Sequence, residues 1–580
     1  MKKSLARKIT LSILAGAVLM STSVVWAMDI TNVAPPGSGD EWVVVGLGTY
    51  APKVENSSDP SASNNKVVFT DTFIGPVNVH FAGGYSASGA VEKNTITIDG
   101  GTFDLDDKTI YGGLVENYTA NASYNEVVIS GVVAGSTFGA IYGGSADGDV
   151  EKNRVTLSAE YATYKRNIYG GDSVSSNAIG NTVTISGGTF NGTDQVVYGG
   201  ISSGGNAGGD TADRGNKVII NGGTFSGTKV YGGHSVSGSA INNEVAISSV
   251  VNGSTFDDIY GGVAGGDAEN NRVTLGAGNA TYDGAVFGGY SSGSGAVEKN
   301  TVTISDGTFS NYVSGGYSYS GDAKGNTVTI SGGKVNHTTV YGGYSNTGSA
   351  INNTVNISGT ADLNSTVLYG GYLCINNSGI SSGNVLNVGY DEGVDDVIGG
   401  TTVTGYKSWT NGRKVEGIQK FQKINFKNIN WSDGDTVLEV ENADLDGTTI
   451  GDISVIGGTV KDEEYMNLIS ANNITGTIDN ANTDINVTVY QGVANKITLA
   501  GTLEQVDNNN GDDVIKLTID DTVAANGITA EAPSNSGGVP GSSELNPQVL
   551  VIGESRTAAT AFTNQGSELI ETGLDALARD

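Results

Sequence analysis

The sequence predicts an all-β fold, a right-handed parallel β-helix (β-solenoid) with repeats of roughly 29 residues. Three observations predict it. A Gly-Gly pair recurs at a regular spacing, and a phrase with alternating β-branched residues lies between successive pairs. All 8 prolines lie at or before Pro76 or at or after Pro533. Because proline cannot donate a hydrogen bond to an interior strand ladder, the long proline-free stretch between them fits one continuous solenoid.

The Gly-Gly pair sets the period of the repeat. Twelve pairs are separated by eleven steps over 316 residues, a mean period of about 29 residues. The first glycines of the pairs are Gly83, Gly112, Gly143, Gly170, Gly199, Gly232, Gly261, Gly288, Gly315, Gly342, Gly370 and Gly399. We expect each pair to form a sharp corner with positive φ, where any Cβ would clash.

Two positions beside each pair predict two columns of side chains. The residue two before the first glycine is always apolar, which indicates an inward column: Phe81, Ile110, Ile141, Ile168, Val197, Val230, Ile259, Val286, Val313, Val340, Leu368 and Val397. The residue that follows it lies on the opposite face of the strand. It is mostly aromatic, and we predict an outer aromatic ladder as the candidate binding surface: Tyr111, Tyr142, Tyr169, Tyr198, Tyr231, Tyr260, Phe287, Tyr341 and Tyr369.

The second recurring phrase is Asn-x-Val-x-Ile or close to it. Its period-two alternation of β-branched residues is typical of a strand with one buried face. The phrase starts at Asn94, Asn125, Asn153, Asn181, Asn216, Asn243, Asn271, Asn300, Asn326, Asn353 and Asn384. Since buried amides need partners, we expect the asparagine at a turn, bonded to the equivalent asparagine or backbone of the next coil. The alternative is a row of ligand-binding amides.

The N-terminus predicts export. A basic stretch at residues 2–8 precedes the apolar run Ile9–Met20, and the small-residue site Val25–Ala27 follows, which is the layout of a secretory signal. We expect cleavage after Ala27. The alternative, a membrane anchor, would need about 20 apolar residues, more than this run supplies.

Composition excludes several classes of function. Lys and Arg number 30 against 61 Asp and Glu, and the formal charge of −31 would repel nucleic acid. The single cysteine, Cys374, excludes an intrachain disulfide, and three scattered histidines leave no Cys/His metal site. We therefore predict no cofactor and no metal, and a function that lies in the architecture.

The predicted domain organisation follows the repeat. Residues 1–27 are the signal peptide, 28–80 an N-terminal cap with the first coils, and 81–400 the repeat solenoid. Residues 401–530 are terminal coils and a cap, 531–548 a linker and 549–580 a short amphipathic helix. Strand-like runs persist in the fourth part at Gly434–Val440, Asn486–Tyr490 and Asn495–Leu499. Thr502–Val506 and Val514–Ile519 predict a hairpin with an Asn-Gly turn, and the cap would cover an exposed sheet edge.

The two ends and the repeat together resemble a known family. The secretory N-terminus, the Gly/Ser/Thr/Asn-rich repeat and the closing phrases Gly553–Ala559 and Phe562–Gly566 resemble the passenger and linker helix of a type V autotransporter from a diderm bacterium. In that family the linker helix threads an outer-membrane barrel that secretes the passenger. The resemblance implies an outer-membrane β-barrel translocator as partner, and a location at the cell surface, in the outer membrane or outside the cell.

This chain departs from the family by ending at Arg579 and Asp580 without a barrel. We expect a truncated or split reading frame, or a translocator encoded separately. The predicted function is that of an adhesin-like binding rod for a host surface, a matrix or cell–cell contact, including self-association, and not of an enzyme. The alternative is a secreted β-helical polysaccharide lyase or hydrolase, which needs carboxylates and a basic residue clustered on one face.

Three other segments resemble functional motifs only weakly. Gly171–Ser173 resembles the nucleophile motif of protease passengers but lacks the Gly-Ser-Pro that follows it there, and we predict a repeat loop. Asp147–Glu151 and Gly208–Asp210 resemble calcium loops without the required spacing, and we predict solvated loops. We also place His234 and His337 in loops and interpret Cys374 as a lone buried thiol.

Overall fold

The computed structural model describes residues 29–31, 43–44, 62–69, 81–86, 89–116, 119–335, 337–374, 378–389, 396–398, 401–403, 409–456, 460–461, 463–491, 495–507 and 513–520. These residues are nearly all β and form a solenoid of about 13 parallel stacked turns, which confirms the predicted fold class. Their only helical element is the 3-10 turn Ala212–Arg214. Over these ranges no helix has the length and apolar character needed to cross a bilayer.

The chain divides into two compact units. The first unit comprises Met1–Val355, Tyr369–Asn384 and Val397–Thr402, and the second comprises Asn356–Leu368, Val385–Asp396 and Val403–Asp580. Four strands each contain a boundary between the two units: Thr354–Ile357, Val367–Leu373, Asp396–Ile398 and Thr401–Val403. The candidate surface lies in the first unit, which contains four kinds of strand.

The asparagine strands follow the repeated asparagine, except Asp29–Thr31, which is grouped with them because it pairs with Lys66–Phe69, and they pair in parallel with the next coil in register. They are Asp29–Thr31, Lys66–Phe69, Thr95–Ile98, Glu126–Ile129, Arg154–Leu157, Thr182–Ile185, Lys217–Ile220, Glu244–Ile247, Arg272–Leu275, Thr301–Ile304 and Thr327–Ile330. The glycine strands contain the Gly-Gly pair, except Val43–Val44, which is grouped with them because it pairs with Phe81–Ser86. They are Val43–Val44, Phe81–Ser86, Asp104–Val115, Thr137–Ala146, Ile168–Ser173, Val196–Ser202, Thr228–Ser235, Ser254–Ala264, Val286–Ser291, Val313–Ser318 and Thr339–Ser345.

Two further kinds of strand complete each coil. The short strands form a separate parallel sheet: Ala62–Ser63, Val91–Glu92, Ala122–Ser123, Val150–Glu151, Ala178–Ile179, Ala207–Gly208, Ala240–Ile241, Ala268–Glu269, Val297–Glu298, Ala323–Lys324, Ala350–Ile351 and Ser381–Ser382. The Thr-Phe strands precede the glycine strands: Thr163–Tyr164, Thr189–Phe190, Thr224–Phe225, Ala280–Tyr282, Thr308–Phe309 and Lys334–Val335. In three other coils this segment is part of a longer glycine strand, as in Thr137–Ala146.

The core of the coils consists of inward columns. The predicted apolar column is confirmed, because its members from Phe81 to Leu368 are at most 1% exposed. Val397 lies outside the residues whose side chains are described. The Thr-Phe position adds an inner aromatic column that the sequence analysis missed: Phe103, Phe138, Tyr164, Phe190, Phe225, Phe256, Tyr282 and Phe309, none more than 2% exposed. A recurring Thr-Phe or Thr-Tyr dipeptide was its signal in the sequence.

The predicted corner at the Gly-Gly pair is wrong. The described pairs lie inside extended strands, and a close approach is what requires glycine there. A Cβ on Gly170 would lie 2.3 Å from the carbonyl oxygen of Gly199 in the next coil, and a Cβ on Gly171 would lie 2.4 Å from the amide carbon of Asn181. A sharp corner with positive φ falls instead just before the repeated asparagine, as at Lys152, where φ is 55°.

The second unit also contains long strands. They are Arg413–Gln419, Lys423–Asn430, Thr436–Asp444, Thr449–Ile456, Tyr465–Thr475, Thr483–Gln491, Asn495–Asp507 and Asp513–Asp520, with Val385–Gly389 before them. The first of them pair in parallel, as Thr436–Asp444 does with Tyr465–Thr475. The last pair antiparallel, and Leu503 opposite Leu517 confirms the predicted hairpin.

Several predictions lie outside the described residues. The signal peptide at 1–27, the linker at 531–548, the helix at 549–580 and the Asn-Gly turn of the hairpin stay predictions. So do the assignments of 28–80 and 401–530 as caps with flanking coils.

Candidate functional site

The candidate surface is the outer aromatic column on the glycine strands. Parallel pairing aligns equivalent residues of successive coils, so that Tyr142 lies opposite Tyr169 and Tyr169 opposite Tyr198. Their rings stack, with centroids 4.3 Å apart in the first pair and 5.1 Å apart in the second. The stacked series runs without a break from Tyr111 to Phe287. The nine predicted residues therefore lie on one strand face, but their rings do not form one uninterrupted stack.

The interruption is at Ser314. This serine takes the ladder position between Phe287 and Tyr341, and its hydroxyl donates to the carbonyl oxygen of Gly316. The stack resumes at Tyr341 and Tyr369, whose centroids are 5.3 Å apart. The ladder therefore has two segments.

The ladder rings are only partly exposed, because each covers the faces of its neighbours. The tyrosines are half-buried and Phe287 is 3% exposed. Burial raises the pKa of Tyr111, Tyr231 and Tyr341 to about 12, and nearby carboxylates or phenols add to the shift. These three phenols are therefore neutral at physiological pH, and the ladder offers uncharged contact area.

A second outer column lies three residues beyond the first, after the Gly-Gly pair, and its rings contact those of the ladder. Tyr290, Tyr317, Tyr344 and Tyr372 stack with centroid separations of 5.1, 4.4 and 5.0 Å. They meet the ladder edge-on, as Tyr344 does with Tyr341. The sequence analysis missed this column, although the recurring Gly-Gly-Tyr phrase marks it. An aromatic patch two columns wide results between Phe287 and Tyr372.

The second column also contains Asp172 and His234, in coils without this tyrosine. Both lie in glycine strands, so their predicted placement in loops is wrong. His234 packs against Tyr198 and Tyr231 with centroids 6.0 and 5.6 Å away, and burial lowers its pKa. Burial raises the pKa of the Asp172 carboxyl to about 6.

Ser173 stabilises a turn of its coil through hydrogen bonds. It is fully buried, its hydroxyl donates to the carbonyl oxygen of Gly148, and it accepts from the backbone N–H of Ser176. Ser202 and Ser235 make the equivalent bonds one and two coils further on. Ser173 of the Gly171–Ser173 motif is therefore one copy of a serine that recurs in successive coils and stabilises a turn.

The asparagine ladder is confirmed as a structural element. From Asn65 to Asn384 the asparagines are at most 1% exposed. The backbone N–H and side-chain Nδ2 of Asn181 both donate to Oδ1 of Asn216, each at 3.0 Å. The same Nδ2 donates to the carbonyl oxygen of Val150. These amides are saturated by their own repeat, so the ligand-binding alternative has no free donors to use here.

The weak motifs form no metal site in the structure. Asp149 accepts hydrogen bonds from the backbone and side chain of Asn177, which are 3.0 and 3.1 Å away. Within the described ranges no three His, Cys, Asp or Glu side chains are grouped so as to hold a metal. His337 has positive φ at 55° in a bend, whereas Cys374 is half-buried rather than buried.

One cavity of about 410 Å³ opens beside the N-terminal segment of the ladder. Its lining comes from four successive coils and includes Lys108, Lys165, Arg166, Tyr169 and Asp194. Apart from Tyr169 this group was not predicted from the sequence, because its other residues differ in type from coil to coil.

Comparisons of the chain with protein-family models, with curated proteins and with solved structures found no match.

Proposed function

We propose that the chain is a surface-displayed, adhesin-like passenger of the autotransporter type. It would be exported by its N-terminal signal and carried across the outer membrane by a β-barrel translocator. It would then bind a host surface, a matrix or a neighbouring cell, with self-association as a variant. The single observation that supports this most is the outer aromatic ladder, a repeated set of half-buried rings on a rigid sheet.

Physical properties of the ladder favour contact with a large partner. Tyrosine offers contact area with little conformational entropy to lose, and here stacking has already fixed the rings. Repetition at the coil spacing allows many weak contacts to act together, so that avidity replaces a single strong site. Binding would occur at ring edges and hydroxyls, because the ring faces are covered by neighbours.

The test is to replace the ladder tyrosines Tyr142, Tyr169, Tyr198 and Tyr231 with serine on the displayed protein. We expect adhesion or cell aggregation to fall by about tenfold or more, because four adjacent contacts are lost together. A matched control replaces Tyr124 and Tyr161, which are 48% and 59% exposed and lie off the ladder. Far-ultraviolet circular dichroism must stay β-rich in both variants.

Two results would count against the proposal. Unchanged adhesion in the folded ladder variant would remove the ladder from the mechanism. Cleavage of a polysaccharide by the purified chain, lost after a single carboxylate substitution, would favour the secreted lyase or hydrolase instead.

A further inference from the structure

The cavity beside the ladder is built by a local departure from the repeat. In the glycine strand Asp104–Val115, Leu105 pairs with Phe138 and Thr109 pairs with Ala140. Three residues, 106–108, therefore lie opposite Gly139 alone, which makes a β-bulge. Bulges re-aim side chains and are frequent next to functional sites. This one brings Lys108 to the cavity wall.

The bulge depends on a glycine and holds Lys108 in place. A Cβ on Gly139 would lie 2.1 Å from the carbonyl oxygen of Lys108, so the close approach excludes any larger residue. Lys108 is 9% exposed, and its ammonium nitrogen lies 2.9 Å from a carboxylate oxygen of Asp107.

Two more cations come from the turn that precedes Tyr169. The backbone N–H of Lys165 donates to the carbonyl oxygen of Phe138 at 2.8 Å. The side-chain Nε2 of Gln195, a residue 1% exposed, donates to the carbonyl oxygen of Arg166 at 2.7 Å. These bonds fix the backbone of the turn, so the two cationic side chains start from a defined position.

The adjoining asparagine ties this turn to the ladder. Asn167 Oδ1 accepts from the backbone N–H of Val196, and its Nδ2 donates to the hydroxyl of Tyr169 at 3.0 Å. A preorganised turn loses little entropy when a ligand binds.

The cavity lining has a net positive charge, whereas the chain has a net negative charge. The formal charge is −31, yet Lys108, Lys165 and Arg166 meet at one concave site, where they outnumber the lining carboxylates of Asp107 and Asp194. Lys108 is paired with Asp107, whereas Lys165 and Arg166 form no salt bridge with any carboxylate in the described part of the chain. A volume of 410 Å³ lies within the range of about 300–1,000 Å³ that small-ligand sites occupy, and a concave site suits a sugar unit better than a flat protein face.

We propose that this cavity binds an acidic saccharide unit through its anionic group, a carboxylate or a sulfate. Lys165 and Arg166 pair with the anion, and Arg166 can do so with two parallel hydrogen bonds. Asp194 and Asn167 hydrogen-bond to the sugar hydroxyls. The site goes beyond the adhesion proposal, because it requires neither surface display nor binding by the ladder.

The experiment is isothermal titration calorimetry on the full-length chain. The probes are galacturonate and glucose 6-sulfate, with galactose and glucose as uncharged controls and inorganic sulfate as the bare anion. We expect an acidic sugar to bind at least about tenfold more tightly than its uncharged counterpart, and more weakly as salt rises. The acidic sugar that binds more tightly shows whether the cavity prefers a carboxylate or a sulfate. Sulfate alone should bind more weakly than the better sugar, because it lacks the hydroxyl contacts.

The double variant Lys165→Gln/Arg166→Gln should lose this affinity by about tenfold or more. The matched control is Arg154→Gln/Arg272→Gln, which removes the same charge from two exposed positions on asparagine strands. Equal loss in both variants would overturn the proposal, since long-range charge would then explain the binding. Thermal melting of each variant checks that the fold is retained.

Two other outcomes would also overturn it. Failure of both acidic sugars to bind the wild-type chain would do so directly. If light scattering instead showed self-association that the Lys165→Gln/Arg166→Gln variant abolishes, the occupant would be an acidic segment of a second copy. Tyr169 belongs both to the ladder and to the cavity lining, so adhesion of the Lys165→Gln/Arg166→Gln variant, which keeps every ladder ring, distinguishes the two proposals.

Discussion

The inner and outer aromatic columns of the first unit share one stacking geometry but differ in burial. In the inner column Phe190 and Phe225 have centroids 4.7 Å apart, and in the outer column Tyr198 and Tyr231 have centroids 5.1 Å apart. The inner rings are closed off from solvent, whereas the outer tyrosines are half-buried. The coil spacing therefore imposes the stacking in both columns, and only burial separates a core element from a candidate surface.

The chemistry of the two columns follows this difference. Most inner rings are phenylalanine, since a buried hydroxyl needs a partner. The outer rings are mostly tyrosine, whose hydroxyls reach solvent or a neighbour, as that of Tyr169 reaches Asn167. The same stacking thus supports stability inside and recognition outside.

The largest expected effect is on stability, from truncating one ring in each column. Phe190→Ala should lower the free energy of unfolding by about 3–5 kcal/mol, because it opens a cavity and breaks two stacks. Tyr198→Ala, in the same coil, should cost about 1–2 kcal/mol, since its ring is half-exposed already. Urea unfolding followed by circular dichroism measures both. Equal losses would mean that burial does not distinguish the columns.

The next effect concerns the half-buried carboxyl of Asp172 in the second outer column. Asp172 has a folded-state pKa of about 6 against an ordinary value of 3.8, so the folded protein holds this proton more tightly than the unfolded chain. Stability therefore falls as pH rises from about 4 to 6, and the loss persists above pH 6. Asp172→Asn should raise the stability by about 2–3 kcal/mol at pH 7 and leave it unchanged near pH 3.5.

The control for that prediction is Glu160→Gln, at an exposed carboxylate. It should change stability little at either pH. A pH-independent gain for Asp172→Asn would show that relief from desolvation is not the cause.

The smallest effect comes from a single hydroxyl in the inner column. The hydroxyl of Tyr164 is buried and has no hydrogen-bond partner among the described residues. Tyr164→Phe should therefore raise the melting temperature, with a gain of about 1 kcal/mol. Tyr198→Phe, in the outer column, should change it by less than about 0.5 kcal/mol. A lower melting temperature for Tyr164→Phe would indicate a partner for that hydroxyl.

Much of the fold could be predicted from the sequence because a repeat displays each position many times. The apolar column, the asparagine ladder and the stacked outer rings all followed from period and alternation. The role of the Gly-Gly pair was predicted wrongly. Glycine is required both where φ is positive and where another segment of the chain approaches closely, and only the position of the neighbouring coil shows which of the two applies. At Gly171 that neighbour is the amide of Asn181.

The cavity could not be predicted for the opposite reason. Lys165 and Asp194 each lie three residues before the inward residue of their coil but differ in residue type, and a bulge brings Lys108 to the same cavity wall. A bulge changes the register of two strands without leaving a periodic mark in the sequence. The repeat therefore reveals the scaffold, and the exceptions to it form the site.

The asparagine ladder gives the first unit a direction. Each amide donates towards the following coil and accepts from the preceding one, so the amide dipoles point the same way and add along the stack. Aligned hydrogen bonds polarise one another, and each becomes stronger as the row lengthens. A substitution at a central member such as Asn216 would divide one long polarised row into two short ones, and coils far from the mutated position would lose part of their hydrogen-bond strength.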